Sequence, residues 1–312
     1  MNRILFVFWT VNAVFTGLSL FWDSLQPQLY SYKDEPNYFT SEDGLRLYYE
    51  DFCPNNNVSG VVLVTPGIGG IMNGDYDKFG NFLSKNGFAV YVLHPRGTSY
   101  SEGKRGDISD FNLILKDFIN FIDYIRGLYS GKQFFLFGHS LGGAIAIKLG
   151  VETDSGVSGI ILVNPAYRYS RQSGPSFWTV ISYAFNYIFR PSALTVNMCS
   201  DPEKIKHPAD RKEAIDRLND PLIVKRFSMR YMAGARKIMQ ESLKNARVID
   251  VPLLMIYGAE DEIIDHTGSD EIFNIWRCAR KKKVVLQQAG HGIHAVNMSL
   301  KVILEWLSDI CR

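Results

Sequence analysis

Short runs of apolar residues alternate along the chain with longer stretches in which apolar residues recur every three or four positions. A nearly continuous apolar run, without alternating polar residues, predicts a strand buried on both faces, as strands of a parallel sheet are. The longer stretches, at residues 76–86 and 111–128, have the period of an α-helix. Six runs have the strand pattern: residues 61–64, 89–93, 133–137, 160–163, 253–257 and 284–286. This order of elements predicts an α/β fold with a mainly parallel central sheet flanked by helices.

The beginning of the chain has a different pattern, because no charged residue occurs from residue 4 to residue 22. As a helix, these 19 residues would span about 28 Å, close to the roughly 30 Å hydrocarbon core of a bilayer. We therefore expect residues 4–22 to associate with a membrane as a single uncleaved anchor. A cleaved signal peptide and a helix packed on the protein's own core are the alternatives.

The charges on either side of this segment favour one orientation in the membrane. Arg3 precedes it, and Lys33 is the one basic residue among the twenty that follow it. By the positive-inside rule, the N-terminus lies in the cytoplasm and the rest of the protein outside it. Cleavage of a signal peptide would instead give a secreted or periplasmic protein. Residues 26–36 contain two prolines and are interpreted as a linker, so residues 1–36 precede a single domain at 37–312.

The composition excludes several classes of protein. The chain has 34 Lys and Arg against 32 Asp and Glu, a net charge of +2, so no basic excess indicates a nucleic-acid partner. Hydrophobic residues at 46% and charged residues at 21% are typical of a globular protein. The four cysteines are widely scattered and form no Cys-x-x-Cys pair, which argues against a disulfide scaffold and a zinc or redox site.

The predicted strand at 133–137 leads into Gly138–Gly143, with the sequence GHSLGG, and then into a helix-compatible stretch at 144–149. A G-x-S-x-G motif between a strand and a helix is typical of a nucleophile elbow. The glycines on either side permit a tight turn that holds Ser140 in a strained backbone conformation with its Oγ exposed. Ser140 is therefore the candidate nucleophile.

A serine hydroxyl needs a base to accept its proton, and the base needs an acid to orient it. On this fold the three follow in the order Ser, Asp, His. Asp261 follows the predicted strand at 253–257, and His291 follows Ala289 and Gly290, whose small size lets the loop bend toward the sheet. Alternatives are Glu260, Glu262 and Asp265 for the acid and His294 for the base. The remaining histidines are expected to be structural or exposed: His94, His139, His207 and His266.

An oxyanion that forms beside Ser140 needs two backbone N–H donors. The N–H of Leu141 is the first, because it begins the helix after the nucleophile. The second is expected in the glycine-rich loop at 65–70, with the sequence TPGIGG, which follows the strand at 61–64. We assign it to the N–H of Ile68. This chemistry needs no cofactor and no metal.

Taken together, these features resemble the monoacylglycerol lipase and lysophospholipase group of α/β-hydrolases, also called the serine aminopeptidase S33 or Hydrolase-4 group. The resemblance extends over almost all of residues 37–312, and it implies Ser140, Asp261 and His291 as a catalytic triad with Ile68 and Leu141 as oxyanion donors. The segments that carry it are residues 40–49 (TSEDGLRLYY), 90–106 (VYVLHPRGTSYSEGKRG), 138–143 (GHSLGG), 219–222 (NDPL), 258–261 (GAED) and 289–291 (AGH). The chain departs from the family at Pro66, where His is usual, and at His94, where Asp is usual.

About 88 residues separate the strand that ends near Asn164 from the one that begins near Leu253. In the family that the chain resembles, such an insertion is a helical cap over the active site, here at about 165–250. It is rich in aromatic residues, which form either a helix packed on the core or an apolar tunnel or membrane-facing lid for an acyl chain. These residues are Tyr167, Tyr169, Phe177, Trp178, Tyr183, Phe185, Tyr187 and Phe189. The basic run at 281–283 is interpreted as a solvated helix end, with anionic lipid headgroups as the alternative partner.

The resemblance implies a serine carboxylester hydrolase that acts on a small lipid-like ester with one acyl chain, such as a monoacylglycerol or a lysophospholipid. The same triad also serves peptidase, thioesterase and acyltransferase chemistry, because the cap and not the triad selects the substrate. A membrane-tethered protein that binds a ligand without catalysis is a further alternative, although no member of the triad is missing.

Overall fold

The computed structural model describes residues 37–312 apart from 56, 154–155, 171–176 and 200, and it gives the backbone alone for 177–180. Residues 1–36 lie outside the described residues, so the anchor at 4–22 and the linker at 26–36 remain predictions. Within the part of the chain that is described, no helix combines the length and the apolar character that crossing a membrane requires.

The described residues form a central sheet of eight strands, which are β1 (Tyr38–Thr40), β2 (Arg46–Phe52), β3 (Gly60–Thr65), β4 (Phe88–Leu93), β5 (Gln133–His139), β6 (Gly159–Val163), β9 (Leu253–Gly258) and β10 (Lys281–Leu286). All neighbours from β4 to β10 are parallel, while β1 and β2 are antiparallel at one edge. Across the sheet the strands follow the order β1-β2-β4-β3-β5-β6-β9-β10. The six predicted strands are all present, and the mainly parallel sheet is confirmed.

Helices cover both faces of this sheet, which explains why its inner strands are nearly continuous apolar runs. In β3, Val61 and Leu63 belong to one apolar core while Val62 and Val64 belong to the other. The first core contains α2 (Asn112–Leu128), α3 (Leu141–Glu152) and α7 (His266–Ile275), and the second contains α1 (Asp77–Lys85), α8 (Ile293–Met298) and α9 (Leu300–Ile310). Both helices that the sequence predicted from periodicity, α1 and α2, are present.

The insertion between β6 and β9 contains the remaining elements. They are α4 (Phe177–Phe189), β7 (Leu194–Asn197), a 3₁₀ turn (Pro202–Lys204), α5 (Pro208–Asn219), β8 (Arg226–Ser228) and α6 (Met229–Ala246). Strands β7 and β8 pair antiparallel in a small sheet of their own. We refer to residues 165–250 as the cap.

Two sequence predictions about β10 are wrong. Residues 284–286 were expected to be buried, but among the described strands β10 has a neighbour on one side alone, so Val285 is 37% exposed. The lysines at 281–283 belong to this strand and not to a helix end. Lys281 Nζ donates to backbone carbonyls at the end of α7, including Phe273 O at 2.7 Å, and Lys283 Nζ pairs with Asp270 Oδ1 at 2.7 Å. An apolar run with basic neighbours therefore marks an edge strand here.

Candidate active site

Ser140 lies at the junction of β5 and α3 with φ 54° and ψ −124°, a conformation that costs energy for any residue with a Cβ. The turn is tight enough to require glycine on both sides. A Cβ at Gly138 would lie 2.6 Å from Gly143 Cα, and one at Gly142 would overlap Thr65 O. The sharp turn places Ser140 in the wall of a cavity at the carboxyl ends of the strands, where ligands bind in open α/β sheets.

His291 lies between Ser140 and Asp261. Its Nε2 is 2.9 Å from Ser140 Oγ, and its Nδ1 is 2.7 Å from Asp261 Oδ2. The other oxygen of Asp261 accepts the N–H groups of Ile263 and Ile264, each at 2.9 Å. The Asp261 side chain is 2% exposed, so these bonds hold it in a water-poor site. The carboxylate orients the imidazole, and the imidazole can accept the serine proton.

The electrostatics of this pair favour a charged acid and a basic imidazole. Burial by itself would lower the pKa of His291, but the Asp261 carboxylate and its hydrogen bond raise that pKa above the ordinary value. Burial would likewise raise the pKa of Asp261, but the charge and hydrogen bond of His291 and the backbone N–H groups lower it. Asp261 therefore stays ionised near neutral pH and stabilises the imidazolium that forms when His291 accepts a proton.

The three alternative acids lie elsewhere. The Glu260 side chain is 53% exposed, and Glu262 Oε2 accepts the N–H of Lys206 at 3.0 Å. Asp265 Oδ1 accepts the N–H of Thr267 at 3.0 Å and so caps the first turn of α7. None of them is the carboxylate that contacts His291.

The alternative base, His294, belongs to a separate polar cluster. Its Nε2 accepts the N–H of Gly290 at 3.1 Å, and its ring stacks on that of His207 at 4.6 Å. His207, Asp210 and His294 bring potential metal ligands within 4.8 Å of one another. Both oxygens of Asp210 accept backbone N–H groups at 2.8 Å, so the cluster already has a role without a metal.

Two residues that the sequence did not assign to the site hold the carbonyl of His291. Asn164 Nδ2 donates to His291 O at 3.0 Å and to Gly290 O at 2.9 Å, while His139 Nε2 donates to His291 O at 2.9 Å. Burial lowers the pKa of His139 to about 3, so it is neutral. The position of Asn164 directly after β6 was a usable signal, because side chains at strand ends point toward the site. The other histidines agree with expectation, since His94 and His207 are buried and His266 is exposed.

Ile68 and Leu141, the expected oxyanion donors, line the same cavity as Ser140. Leu141 is the first residue of α3, and the N–H groups of the first turn of a helix have no acceptor within the helix. The cap holds the loop that contains Ile68. Arg217 Nη2 donates to Ile68 O at 3.1 Å, and Val224 N–H donates to Gly69 O at 2.8 Å. The donor loop thus depends on the cap for its position.

The cap also forms much of the cavity wall, and most of its contribution is apolar. The larger aliphatic and aromatic residues among them include Met198, Ile205, Ile223, Val224 and Phe227. One acid in the wall, Asp75, has its pKa raised to about 6 by burial. The cavity therefore combines an apolar surface that suits an acyl chain with a few polar groups near Ser140.

Comparison with known proteins gives consistent matches. A family model described as serine aminopeptidase, S33, matches residues 56–296, more than half of the chain. Monoglyceride lipase of Homo sapiens is 24% identical over 270 residues, covering 86% of this chain and 86% of that protein.

Two solved structures match the fold. A soluble variant of monoglyceride lipase from Saccharomyces cerevisiae has a TM-score of 0.77 at 20% identity, covering 90% of this chain and 97% of that one. Monoacylglycerol lipase of Paleococcus ferrophilus has a TM-score of 0.70 at 26% identity, covering 85% of this chain and 99% of that one. These likenesses confirm the predicted α/β-hydrolase fold.

Proposed function

The chain belongs to the serine aminopeptidase S33 family of α/β-hydrolases and is a serine ester hydrolase similar to monoglyceride lipases, and on this premise we propose that it hydrolyses single-chain acyl esters through Ser140, His291 and Asp261. The substrate class is a monoacylglycerol or a lysophospholipid. The observation that carries the proposal is the continuous hydrogen-bonded series from Ser140 Oγ through His291 to Asp261 in the wall of the cavity.

The proposed reaction proceeds through an acyl-enzyme. His291 Nε2 accepts the Ser140 proton as Oγ attacks the ester carbonyl, and the N–H groups of Ile68 and Leu141 stabilise the oxyanion. The carbon–oxygen bond to the alcohol then breaks, and the imidazolium gives its proton to the leaving alcohol. Water repeats the sequence on the acyl-enzyme, with His291 again as base, and releases the fatty acid and free Ser140. Asp261 holds the tautomer and orientation of His291 throughout.

The apolar cap residues around Ser140 support the choice of an acyl ester. A buried acyl chain gains about 0.8 kcal/mol for each CH₂ group removed from water, and an apolar wall provides that environment. The names of the matched relatives, monoglyceride lipase and monoacylglycerol lipase, favour glycerol esters. Peptide, thioester and acyl-transfer substrates use the same triad chemistry, so a panel of monoacylglycerols, lysophospholipids, acyl thioesters and aminoacyl substrates separates these activities.

We further propose that the cap contacts a lipid surface through α4. This helix contains no charged residue, and the apolar side chains described in it, at residues 181–189, point largely into solvent. The exposed ones are Ile181, Phe185, Tyr187, Ile188 and Phe189. An exposed apolar surface of this kind is typical of an interaction site, and an acyl ester is presented to the enzyme at a lipid surface. Association through residues 4–22 would add to this contact.

Replacement of the nucleophile tests the proposal directly. We expect Ser140→Ala to lower kcat on a short-chain nitrophenyl ester and on a monoacylglycerol by about 10³-fold or more, because attack by Oγ is lost. A fluorophosphonate probe should label the folded wild type at Ser140 and should not label the variant. Ser84→Ala, on α1, is the matched control and should keep both activity and labelling. Full activity in Ser140→Ala, or no labelling of the wild type, would contradict the proposal.

A further inference from the structure

Asp210, on the cap helix α5, accepts hydrogen bonds from the backbone of the loop that contains His291. Its Oδ2 accepts the N–H of His291 at 2.8 Å, and its Oδ1 accepts the N–H of Gly292 at 2.8 Å. Glu213 extends the contact one turn along α5, because its Oε2 accepts the N–H of Ile293 at 2.7 Å. Three consecutive N–H groups after Gly290 therefore have carboxylate acceptors from the cap.

The glycines of this loop permit the close approach. A Cβ at Gly290 would overlap Asp210 Oδ2, and a Cβ at Gly292 would overlap Glu213 Oε2 and lie 2.9 Å from Asp210 Oδ1. Any side chain at either position would push the carboxylates away from the N–H groups. The glycines on either side of His291 thus do more than let the loop bend, because they also let the two carboxylates reach its N–H groups.

The Asp210 carboxylate is buried and well partnered. Asp210 is 7% exposed, and His207 and His294 flank it, with His294 Nδ1 3.3 Å and His207 Nδ1 3.9 Å from its oxygens. Hydrogen bonds from N–H groups to a carboxylate are about twice as strong as those between neutral groups. Burial strengthens them further, because water does not compete for the acceptor.

From this geometry we infer that Asp210 is a positioning residue for the catalytic base. The His291 peptide is held on both sides: Asn164 and His139 fix its carbonyl from the sheet, and Asp210 fixes its N–H from the cap. The imidazole must stay within hydrogen-bond distance of both Ser140 and Asp261. A displacement of about 1 Å in a catalytic group can cost about 100-fold in rate. The hydrogen bonds of Asp210 therefore contribute to kcat by keeping His291 in place. This inference rests on the proposed role of His291.

Asp210→Asn is the primary test. The amide has the shape of the carboxylate but replaces one acceptor oxygen with an NH₂ donor, which cannot accept an N–H of the loop. On a soluble short-chain ester we expect kcat to fall by about tenfold or more while KM stays within about twofold, because the transition state is affected and ground-state binding is not. The rate of fluorophosphonate labelling of Ser140 should fall with kcat. Asp216→Asn, an exposed site on the same helix paired with Lys212, is the matched control and should change neither constant.

A second variant leaves Asp210 in place and displaces it. Gly290→Ala should push Oδ2 away from the His291 N–H and produce the same fall in kcat at unchanged KM. It also provides the test if Asp210→Asn does not fold, which circular dichroism will show. A folded variant of either kind that keeps kcat within about twofold of the wild type would overturn the inference. The same holds if a rise in KM accounts for the whole loss in kcat/KM. Failure of the proposed function gives a different result, because the wild type itself would then show no hydrolysis that depends on Ser140.

Discussion

At the scale of single residues, the site depends on the balance of charges around His291. Burial opposes protonation of His291, while Asp261, which contacts its Nδ1, and Asp210 and Glu213 from the cap contribute negative charge that favours it. The pKa of His291 is raised by this balance. The proposed acceptor of the serine proton is thus a stronger base than an exposed histidine, but it also stays protonated to a higher pH.

The raised pKa of His291 has a direct consequence for the pH profile. His291 acts as a base only when it is neutral, so kcat/KM should rise as the pH passes upward through its pKa. Because that pKa lies above the ordinary value of 6.5, the acid limb should have its midpoint above pH 6.5. The measurement is kcat/KM for a non-ionising ester from pH 5 to 9. A midpoint below the ordinary histidine value would contradict the electrostatic account.

Asp261→Asn tests the other side of the same pair. Loss of the carboxylate removes the main attraction that raises the pKa of His291, so the acid limb should move to lower pH. The amide also no longer accepts a hydrogen bond as a carboxylate does, and kcat should fall by about 10³–10⁴-fold. Glu260→Gln, at the exposed neighbouring acid, is the control and should change neither. A large effect in the control with none in Asp261→Asn would assign the acid to Glu260.

At the scale of elements, two segments behave differently from what their composition suggests. The apolar run in β10 is partly exposed because the strand lies at the sheet edge, and most of the aromatic side chains described in α4 are exposed although such stripes usually pack on a core. The side chains of residues 177 and 178 lie outside the description, but Tyr183 packs against the core while Phe185 and Phe189 face solvent. One face of α4 therefore packs on the core, as the first interpretation expected, while the other faces solvent, and a role of that exposed face as a lid at a lipid surface stays a proposal.

The exposed face of α4 predicts a split between two kinds of substrate. In the double variant Ile188→Asp and Phe189→Asp, hydrolysis of monoacylglycerol in phosphatidylcholine vesicles should fall by about tenfold or more, because the apolar contact with the lipid surface is lost. A tenfold loss corresponds to about 1.4 kcal/mol of binding free energy. Hydrolysis of a soluble short-chain ester should be unchanged. Leu128→Asp, at an exposed apolar position on α2, is the control. An equal loss on both substrates would mean that α4 acts on the site itself and not on the lipid surface.

At the scale of the whole molecule, one buried ion pair joins the turn after β4 to α2. Arg96 makes two hydrogen bonds of 2.6 Å with Asp117, which is 2% exposed, and two more, of 2.7 and 3.1 Å, with Asp43. Burial raises the pKa of Asp117, and Arg96 opposes that shift. Removal of the guanidinium would leave a buried carboxylate without its main partner, which is far more costly than the loss of a surface pair.

Arg96→Ala should therefore lower the free energy of unfolding by about 3 kcal/mol or more. Arg46→Ala, which breaks the exposed pair with Glu102, is the control and should cost about 1 kcal/mol or less. Urea denaturation followed by circular dichroism gives both values. Equal losses in the two variants would show that burial of the Arg96 pair does not determine its contribution to stability.

The sequence by itself determined the features that local patterns encode. Continuous apolar runs and helical periods gave the α/β class and six strands of the sheet, and a serine between glycines at a strand–helix junction identified Ser140 as the candidate nucleophile. The same patterns left four candidate acids and two candidate bases. They could also not distinguish the edge strand β10 from an inner strand, because exposure depends on which strands pair and not on composition.

Only the tertiary structure decided which side chains meet. His291 and Ser140 are 151 positions apart, and His291 and Asp210 are 81 apart, so no local period or motif spacing fixes their distance. The folded sheet brings the strand ends to one edge, and the packing of the cap on that edge brings Asp210, Glu213 and Arg217 to the loops on either side of Ser140. A contact of this range is decided by the balance of packing across the whole molecule, which short segments of sequence do not contain.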